Sequence, residues 1–124
     1  MDPDIELLGR IYERFNARDV DGVLTALDDD VVWATRMDGG HLRGREAVRA
    51  YWMRQWAVVS PQVEPVGFRR TADGAILAEV RQTVRDLDGN PLQEQTHGLA
   101  DKTVGHLFHL REGRVTRFDI ETAR

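Results

Sequence analysis

The chain of 124 residues contains no cysteine. Disulfide bonds and thiolate metal ligands are therefore excluded, and this composition fits a reducing compartment, so the cytoplasm is the expected location. No stretch approaches the ~20 consecutive apolar residues that a membrane-spanning helix needs. The acidic start "MDPDIELLGR" lacks the basic residues and the apolar run of a signal peptide. We therefore expect neither a membrane segment nor a targeting segment.

An excess of positive charge is also missing. Lysine and arginine total 17 against 21 acidic residues, which gives a formal net charge of −4. Such a chain is not attracted non-specifically to phosphate backbones or anionic membranes, so no nucleic acid partner is expected. "MDGG" and "LDGN" are typical of turns rather than of phosphate-binding loops. The single serine, Ser60, precedes a proline and lacks the context of a nucleophile.

Helical patterns occupy the first half of the chain. At 124 residues we expect one domain, residues 1–124, with one core. After a cap at Asp2, apolar residues recur at helical spacing and predict a first helix. Asp19 is the predicted cap of a short second helix that runs through Leu27 into the "DDD" segment. A third helix is predicted in "GREAVRAYWMRQWAVV", with its stop at Ser60-Pro61 and both of its tryptophans facing inward.

The remaining segments alternate with a period of two. "VVWAT", residues 31–35, predicts a short strand, and residues 36–43 predict a turn or loop. Four strands are predicted in "QVEPVGFRR", "AILAEVRQTVRD", "TVGHLFHL" and "RVTRFDIE", forming an antiparallel meander. The segment 90–103 indicates a lengthened hairpin whose role the sequence does not give. Together these elements predict an α+β domain with helices on one face of a sheet.

The succession "IYERFNARDVDGVLTALDDDVVW", "GREAVRAYWMRQW" and "HLFHLREGRVTRFDI" resembles the SnoaL-like, polyketide-cyclase-like branch of the nuclear transport factor 2-like superfamily. The resemblance covers nearly the whole chain. It implies a cone-shaped, cystatin-like α+β fold in which three N-terminal helices pack on a strongly curved, mostly antiparallel sheet that encloses a cavity. It also implies a homodimer through the outer sheet face. Isomerases, cyclases, epoxide hydrolases, dehydratases and non-catalytic proteins share this superfamily, so the resemblance does not select an activity.

The acidic residues of catalytic relatives are not reproduced at the matching positions. The resemblance assigns the general-base aspartate of ketosteroid isomerases to Thr35 and the cyclase aspartate of the last strand to Ile120. Neither side chain can act as that base. Asp119 is adjacent to Ile120, but the pleat of the strand turns its side chain to the opposite face of the sheet. Asp38 substitutes only if its loop folds inward, and an aspartate before Gly-Gly is ordinarily a turn residue.

Two histidines precede the last predicted turn. His106 and His109 are three residues apart in a strand and point to opposite faces, so no joint metal site is expected, and no other metal constellation is present. His106 alternates in step with Val104, Phe108 and Leu110 and therefore lies on the same face of the strand. This face should line the cavity. The resemblance matches His106 to the second acid of the isomerases. Two interpretations stay open: a hydrogen-bonded core histidine, or a proton shuttle or donor to a ligand oxygen.

The other candidate residues would line the cavity around His106. Tyr12 is a second catalytic candidate that could donate its phenol to a ligand, or it packs its ring in the core. Gln82 either binds the ligand or pairs with His106. Trp56 is expected in the core, and the charged residues Arg81, Arg85, Arg117, Asp119 and Glu121 on the outer face. The expected ligand-binding residues are Trp33, Thr35, Met37, Trp52, Gln82, Phe108 and Phe118.

These residues lead to two functional hypotheses. In the first, the cavity takes a small hydrophobic molecule, and His106, helped by Tyr12 or Gln82, catalyses proton transfer without a cofactor, as in isomerisation, cyclisation or dehydration. In the second, the chain is a non-catalytic ligand-binding or dimerisation module, because Thr35 and Ile120 replace carboxylates.

Overall fold

The computed structural model describes residues 2–35, 40–90 and 102–122. None of the described helices is long and apolar enough to cross a bilayer. The elements in chain order are α1 (Pro3–Asn16), α2 (Val20–Leu24), β1 (Leu27–Ala34), β2 (His41–Arg43), α3 (Arg45–Trp56), β3 (Ser60–Arg70), β4 (Ile76–Arg85), β5 (Lys102–Arg111) and β6 (Arg114–Thr122).

The helix starts were predicted correctly, but two helix ends were not. Asp2 accepts a hydrogen bond from the backbone of Asp4, and Asp19 caps α2 in the same way through Gly22. The prediction that α2 reaches Leu27 is wrong, because α2 ends at Leu24 and Leu27 starts β1. Leu27 is fully buried and pairs with β6, so tertiary pairing overrides the turn tendency of the three aspartates that follow.

The prediction for the end of α3 is also wrong. The helix ends at Trp56, and Ser60 already belongs to β3. Apolar spacing had carried the predicted helix to Val59, which is buried but lies outside the helix. Val59 is therefore buried because the chain runs towards the sheet at this point, and not because the helix continues through it.

All six strands form one sheet in the order β2-β1-β6-β5-β4-β3. The predicted antiparallel meander of β3 to β6 is confirmed, and β1 adds to it parallel to β6. The predicted loop at 36–43 is wrong for its last residues, because His41–Arg43 pair with β1 as the short edge strand β2. Residues 36–39 lie outside the described residues.

The helices cover the inner face of the sheet and enclose the core. On β5, Val104, His106 and Phe108 are buried, which confirms the predicted parity. A bulge between His109 and Leu110 shifts the register there, and Leu110 is only half-buried. The fully buried side chains that anchor α1, α2 and α3 to the sheet are Leu8, Val23, Leu27, Val31, Val48, Ile76, Val80, Phe108 and Val115.

The edge strand β3 is closed by α1. Asn16 donates from Nδ2 to the carbonyl of Val63 at 2.8 Å, and the Val63 amide donates back to Asn16 Oδ1 at 2.9 Å. Backbone groups of alternate residues point to the same edge, and the neighbours at that edge, Pro61 and Pro65, have no amide hydrogen. Arg18 donates to the carbonyl of Pro61 at 2.8 Å. From residue 61 to 65 this edge thus offers no free donor to an added strand.

Candidate functional site

The central feature of the interior is a hydrogen-bonded pair formed by Tyr12 and His106. The Tyr12 hydroxyl oxygen lies 2.8 Å from His106 Nδ1, and the two residues are 94 positions apart in the chain. Tyr12 is 5% exposed and His106 7%. Tyr12 belongs to the buried stripe of α1, and His106 to the inward-facing positions of β5. Docking of α1 on the sheet therefore builds the pair.

The environment of the pair keeps the phenol neutral. Burial raises the pKa of the Tyr12 hydroxyl well above its ordinary value, because an apolar interior disfavours the phenolate. A phenol that keeps its proton is a hydrogen-bond donor at every pH near neutrality. Tyr12 therefore enters the site as a neutral polar group.

Aromatic rings surround the pair. The Phe118 ring meets the imidazole of His106 edge to face, with centroids 4.8 Å apart. Phe108 stands perpendicular to the Tyr12 ring at 6.0 Å. These are the favourable geometries of aromatic contacts, and they orient both polar rings. An apolar shell of this kind strengthens electrostatic interactions within the site.

The aromatic shell continues to α3. Trp33 of β1 stacks on Phe118 with centroids 4.2 Å apart, and Trp52 of α3 meets Trp33 edge-on at 5.3 Å. Four of the predicted ligand-binding residues, Trp33, Trp52, Phe108 and Phe118, thus join one cluster with His106, and all four are buried. Trp56, predicted in the core, is half-buried and stacks on Trp52 at 5.9 Å.

Thr35 and Ile120 are the two positions that the resemblance matches to catalytic carboxylates. Thr35 directly follows β1, and its amide donates to the carbonyl of Gly40 at 2.8 Å. Ile120 lies opposite His106 in the pairing of β5 with β6. Met37 and Asp38 lie outside the described residues. The residue that pairs with His106 on β6 is therefore aliphatic.

Gln82 does not neighbour His106 in the sheet. His106 pairs with Ala78 of β4, whereas Gln82 pairs with Lys102, four residues farther along both strands. Gln82 is half-buried on the inner face, next to Val63 of β3. The register therefore speaks against a cross-strand pair of Gln82 with His106. A ligand contact of Gln82 stays a prediction.

A pocket of about 400 Å³ lies between α1 and the β3–β4 hairpin. Of the predicted site residues, Tyr12 alone lines this pocket. The pocket therefore lies on the Tyr12 side of the Tyr12–His106 pair. Sequence patterns do not indicate this pocket, because most of its polar residues occupy positions that are predicted to face solvent. Its wall consists of Gly9, Tyr12, Glu13, Asn16, Gln62, Val63, Glu64, Pro65, Arg81 and Thr83.

The outer face of the sheet is charged, as predicted. Asp119 accepts hydrogen bonds from Arg117 at 2.7 Å and from His41 at 2.9 Å. Burial alone would raise the pKa of Asp119, but these two partners hold it below its ordinary value. His109 lies on this side, 3.8 Å from Asp73, and the described residues contain no group of three side chains able to hold a metal ion.

Solved structures with the same architecture establish the fold. TerC, co-crystallised with polyporic acid, is 22% identical, with 98% of this chain and 92% of that chain covered and a TM-score of 0.78. An NTF2-like protein of unknown function from Burkholderia pseudomallei is 23% identical, with 99% and 92% covered and a TM-score of 0.78. An uncharacterised cystatin-fold protein from Novosphingobium aromaticivorans is 20% identical, with 97% of each chain covered and a TM-score of 0.74. The predicted α+β, cystatin-like fold is confirmed.

Sequence comparison assigns the family. No curated protein matches the chain. The family model described as a SnoaL-like domain matches residues 8–118, which is most of the chain. This match confirms the predicted SnoaL-like resemblance, and the chain belongs to the SnoaL-like domain family.

Proposed function

We propose that this chain is a cytoplasmic protein that binds a small, largely hydrophobic metabolite beside the Tyr12–His106 pair and transfers a proton on it without a cofactor. The observation that carries the proposal is the buried 2.8 Å contact between the Tyr12 hydroxyl and His106 Nδ1. The reactions that fit are isomerisation, cyclisation and dehydration, each of which moves a proton on a carbon frame.

The cost of burying this pair supports a functional role. A polar group in an apolar interior costs about 1–3 kcal/mol when its hydrogen bond is lost, whereas a pair of apolar side chains of similar shape carries no such risk. Imidazole is also the side chain that exchanges protons most readily near neutral pH. A hydrogen-bonded histidine within an aromatic cluster therefore has the elements of acid–base or oxyanion chemistry.

The aromatic cluster supports an apolar ligand. Trp33, Trp52, Phe108 and Phe118 offer wide ring surfaces and few polar atoms, which is typical of sites that hold hydrophobic compounds through a small number of polar contacts. A structure of the same fold, TerC, was co-crystallised with polyporic acid, an organic acid. This co-crystal supports the proposal of a small organic ligand for the present chain.

A second candidate function is ligand binding without turnover. It is favoured by Thr35 and Ile120, which stand where catalytic relatives are expected to carry carboxylates. Both candidates require a ligand at the aromatic cluster. They differ in whether the protein then breaks a C–H bond of that ligand.

Two copies of the chain associate, in this proposal, through the outer face of the sheet. Leu77 and Leu107 pair across β4 and β5 on that face and are half-buried, among charged neighbours. Light scattering after size-exclusion chromatography measures the mass directly. A dimer of the 14.1 kDa chain supports this arrangement, and a monomer at high concentration contradicts it.

The catalytic candidate is tested by deuterium incorporation. Small enolisable ketones are incubated with the protein in D₂O, and loss of the C–H signals is followed by NMR. We expect wild-type protein to accelerate exchange for at least one ketone that binds, and His106→Ala to abolish the acceleration. His109→Ala is the matched control, because His109 lies on the same strand but faces outward. Binding without any exchange supports the binding module instead.

A further inference from the structure

The pocket between α1 and the β3–β4 hairpin is separate from the aromatic cluster of the proposed ligand site. Its volume of about 400 Å³ lies in the range of cavities that hold small organic molecules. In the described part of the chain, its wall contains none of the rings of Trp33, Trp52, Phe108 and Phe118. It does contain Tyr12, whose hydroxyl is already bound to His106. The pocket is therefore a second space with its own wall.

Gly9 keeps this pocket open. It lies inside α1, where a glycine lowers helix stability relative to alanine. A methyl group built on Gly9 would meet no other described atom within 4 Å. The packing of the chain therefore does not require a glycine at this position. Its missing side chain leaves space in the pocket wall.

Several polar side chains of the wall have hydrogen-bonding capacity that the protein does not use. Glu13, Gln62 and Thr83 make no side-chain hydrogen bond to another described residue. Asn16 differs from them, because both ends of its amide bind the backbone of Val63. The first three side chains are therefore available to a ligand, and Asn16 is a fixed part of the wall.

The charges of the wall favour a cation. Arg81, the one basic residue among the described residues of the wall, lies 3.1 Å from Glu64. Arg14, the cation next to Glu13 in the chain, donates to the carbonyl of Gly22. The carboxylate of Glu13 thus has no cationic partner in the described structure. Glu13 also lies in the last turn of α1, where the partial negative charge of the helix end favours cations.

The edge of β3 beside the pocket excludes a peptide that would add as a further strand. Pro61 and Pro65 have no amide hydrogen, and the side chain of Asn16 occupies the backbone groups of Val63. A ligand at this place must bind through the pocket and not through main-chain hydrogen bonds. A small molecule fits this requirement, and Val63 and Pro65 offer it an apolar surface.

We propose that the pocket between α1 and the β3–β4 hairpin binds a small organic amine, with its ammonium group against Glu13 and its apolar part beside Gly9 and Pro65. Gly9 and Glu13 are four residues apart and lie on the same face of α1, so one molecule reaches both. Gln62 and Thr83 offer oxygen acceptors to the remaining ammonium hydrogens. The inference does not depend on the proposed function, because neither Gly9 nor Glu13 belongs to the Tyr12–His106 pair.

Three probes of similar shape test the charge of the ligand. They are 2-phenylethylamine, which is a cation at neutral pH, the neutral 2-phenylethanol and the anion phenylacetate. Binding to the wild-type protein is followed through the amide signals of Gly9 and Glu64 by NMR titration. We expect the amine to shift these signals and to bind about fivefold more tightly than either other probe. An amine that binds no better than the alcohol, or that leaves these signals unchanged, overturns the inference.

Charge variants locate the ammonium group. Glu13→Gln keeps the shape of the side chain, and we expect it to weaken binding of the amine about fivefold without affecting the alcohol. Glu6→Gln is the matched control, because Glu6 is an exposed acid of α1 outside the pocket wall. Arg81→Gln releases Glu64 and should strengthen binding of the amine. An unchanged affinity in Glu13→Gln, or an equal loss in Glu6→Gln, overturns the inference.

A variant of Gly9 tests the place independently of charge. Gly9→Leu fills the open space with a good helix former, so we expect an undiminished melting temperature and a loss of binding for both the amine and the alcohol. A folded Gly9→Leu protein that binds the amine like wild type overturns the assignment to this pocket. The side chain of Glu13 is exposed, so Glu13→Gln decides the inference even if Gly9→Leu does not fold.

Discussion

The hydroxyl of Tyr12 lies 2.8 Å from Nδ1 of His106, and this contact joins the first helix to the fifth strand inside the aromatic core. Both residues are more than nine-tenths buried. The pair therefore combines two properties that are usually separate, since it contributes to the packing of α1 on the sheet and it holds an ionisable ring in a defined orientation. Substitutions at the two positions separate the contribution to stability from the contribution to ligand chemistry.

The two hydrogen-bonding groups should be energetically coupled. Tyr12→Phe leaves Nδ1 of His106 without its partner, and we expect a loss of about 1–3 kcal/mol in the free energy of unfolding. In a double-mutant cycle with His106→Ala, the two losses should not add, with a coupling energy of about 1 kcal/mol or more. Chemical denaturation of the four proteins gives these values. Additive losses within about 0.3 kcal/mol would mean that the contact does not stabilise the fold.

Ionisation of Tyr12 should destabilise the protein at alkaline pH. Its folded-state pKa is raised by burial, so the unfolded chain releases the phenolic proton first, above about pH 10. The contribution is fully present below that pH and is lost as the pH rises through the folded-state pKa. We expect a tyrosinate absorbance titration to show one of the two tyrosines ionising only together with unfolding.

The control for this titration is Tyr12→Phe. It should lack the tyrosinate step that coincides with unfolding. Independent ionisation of both tyrosines in the folded wild-type protein would contradict the burial of Tyr12.

Opening the β3 edge should promote association. Asn16→Ala removes both hydrogen bonds to Val63 and exposes the backbone groups of an edge strand. We expect faster hydrogen exchange of the Val63 amide, a loss of about 1–2 kcal/mol in stability and growth of higher-mass species with concentration. Mass spectrometry of exchange and light scattering measure these effects.

Glu13→Ala is the matched control, because Glu13 lies one turn earlier on the same helix and is exposed. In this variant the Val63 amide should exchange at the wild-type rate. The mass measured by light scattering should also equal that of wild-type protein. If Asn16→Ala keeps a protected Val63 amide and a constant mass, the side chain does not protect the edge.

The cluster on the outer face should influence acid stability. Arg117 and His41 keep the pKa of Asp119 below its ordinary value of about 3.9, against the opposite effect of burial. A depressed pKa stabilises the fold above the unfolded value, and this contribution is lost as the pH falls through the folded-state pKa. Asp119→Asn should therefore flatten the decline of stability below about pH 4. An identical acid unfolding curve for both proteins would show that the cluster contributes nothing to it.

The inward position of His106 could be predicted because a strand has a strict period of two. That pattern assigned His106 to the same face as Val104 and Phe108, and both are buried with it. Its hydrogen bond to Tyr12 could not be predicted, because it joins residues 94 positions apart and depends on how α1 docks. The local sequence pattern predicts which face of a strand or helix a residue occupies. The residue that it contacts across the core is decided by how the elements pack.

The errors have the same origin. The helical spacing of Val20, Val23, Leu24 and Leu27 predicts a helix through Leu27. Pairing with β6 instead extends β1 back to Leu27. Asn16 near the end of α1 has the sequence context of a solvent-exposed polar residue, although it pairs with the backbone of Val63. In both cases a contact with a distant strand decides the structure, and local preference does not report it.

The most direct test of the central claim is the response of the His106 ring to ligands. The ¹⁵N signals of the histidines are recorded while a library of small hydrophobic carbonyl and hydroxyl compounds is added. We expect at least one compound to shift the His106 signals and to leave those of the outward-facing His109 unchanged. A library that shifts His109 alone, or neither ring, would contradict the assignment of a ligand site to the Tyr12–His106 pair.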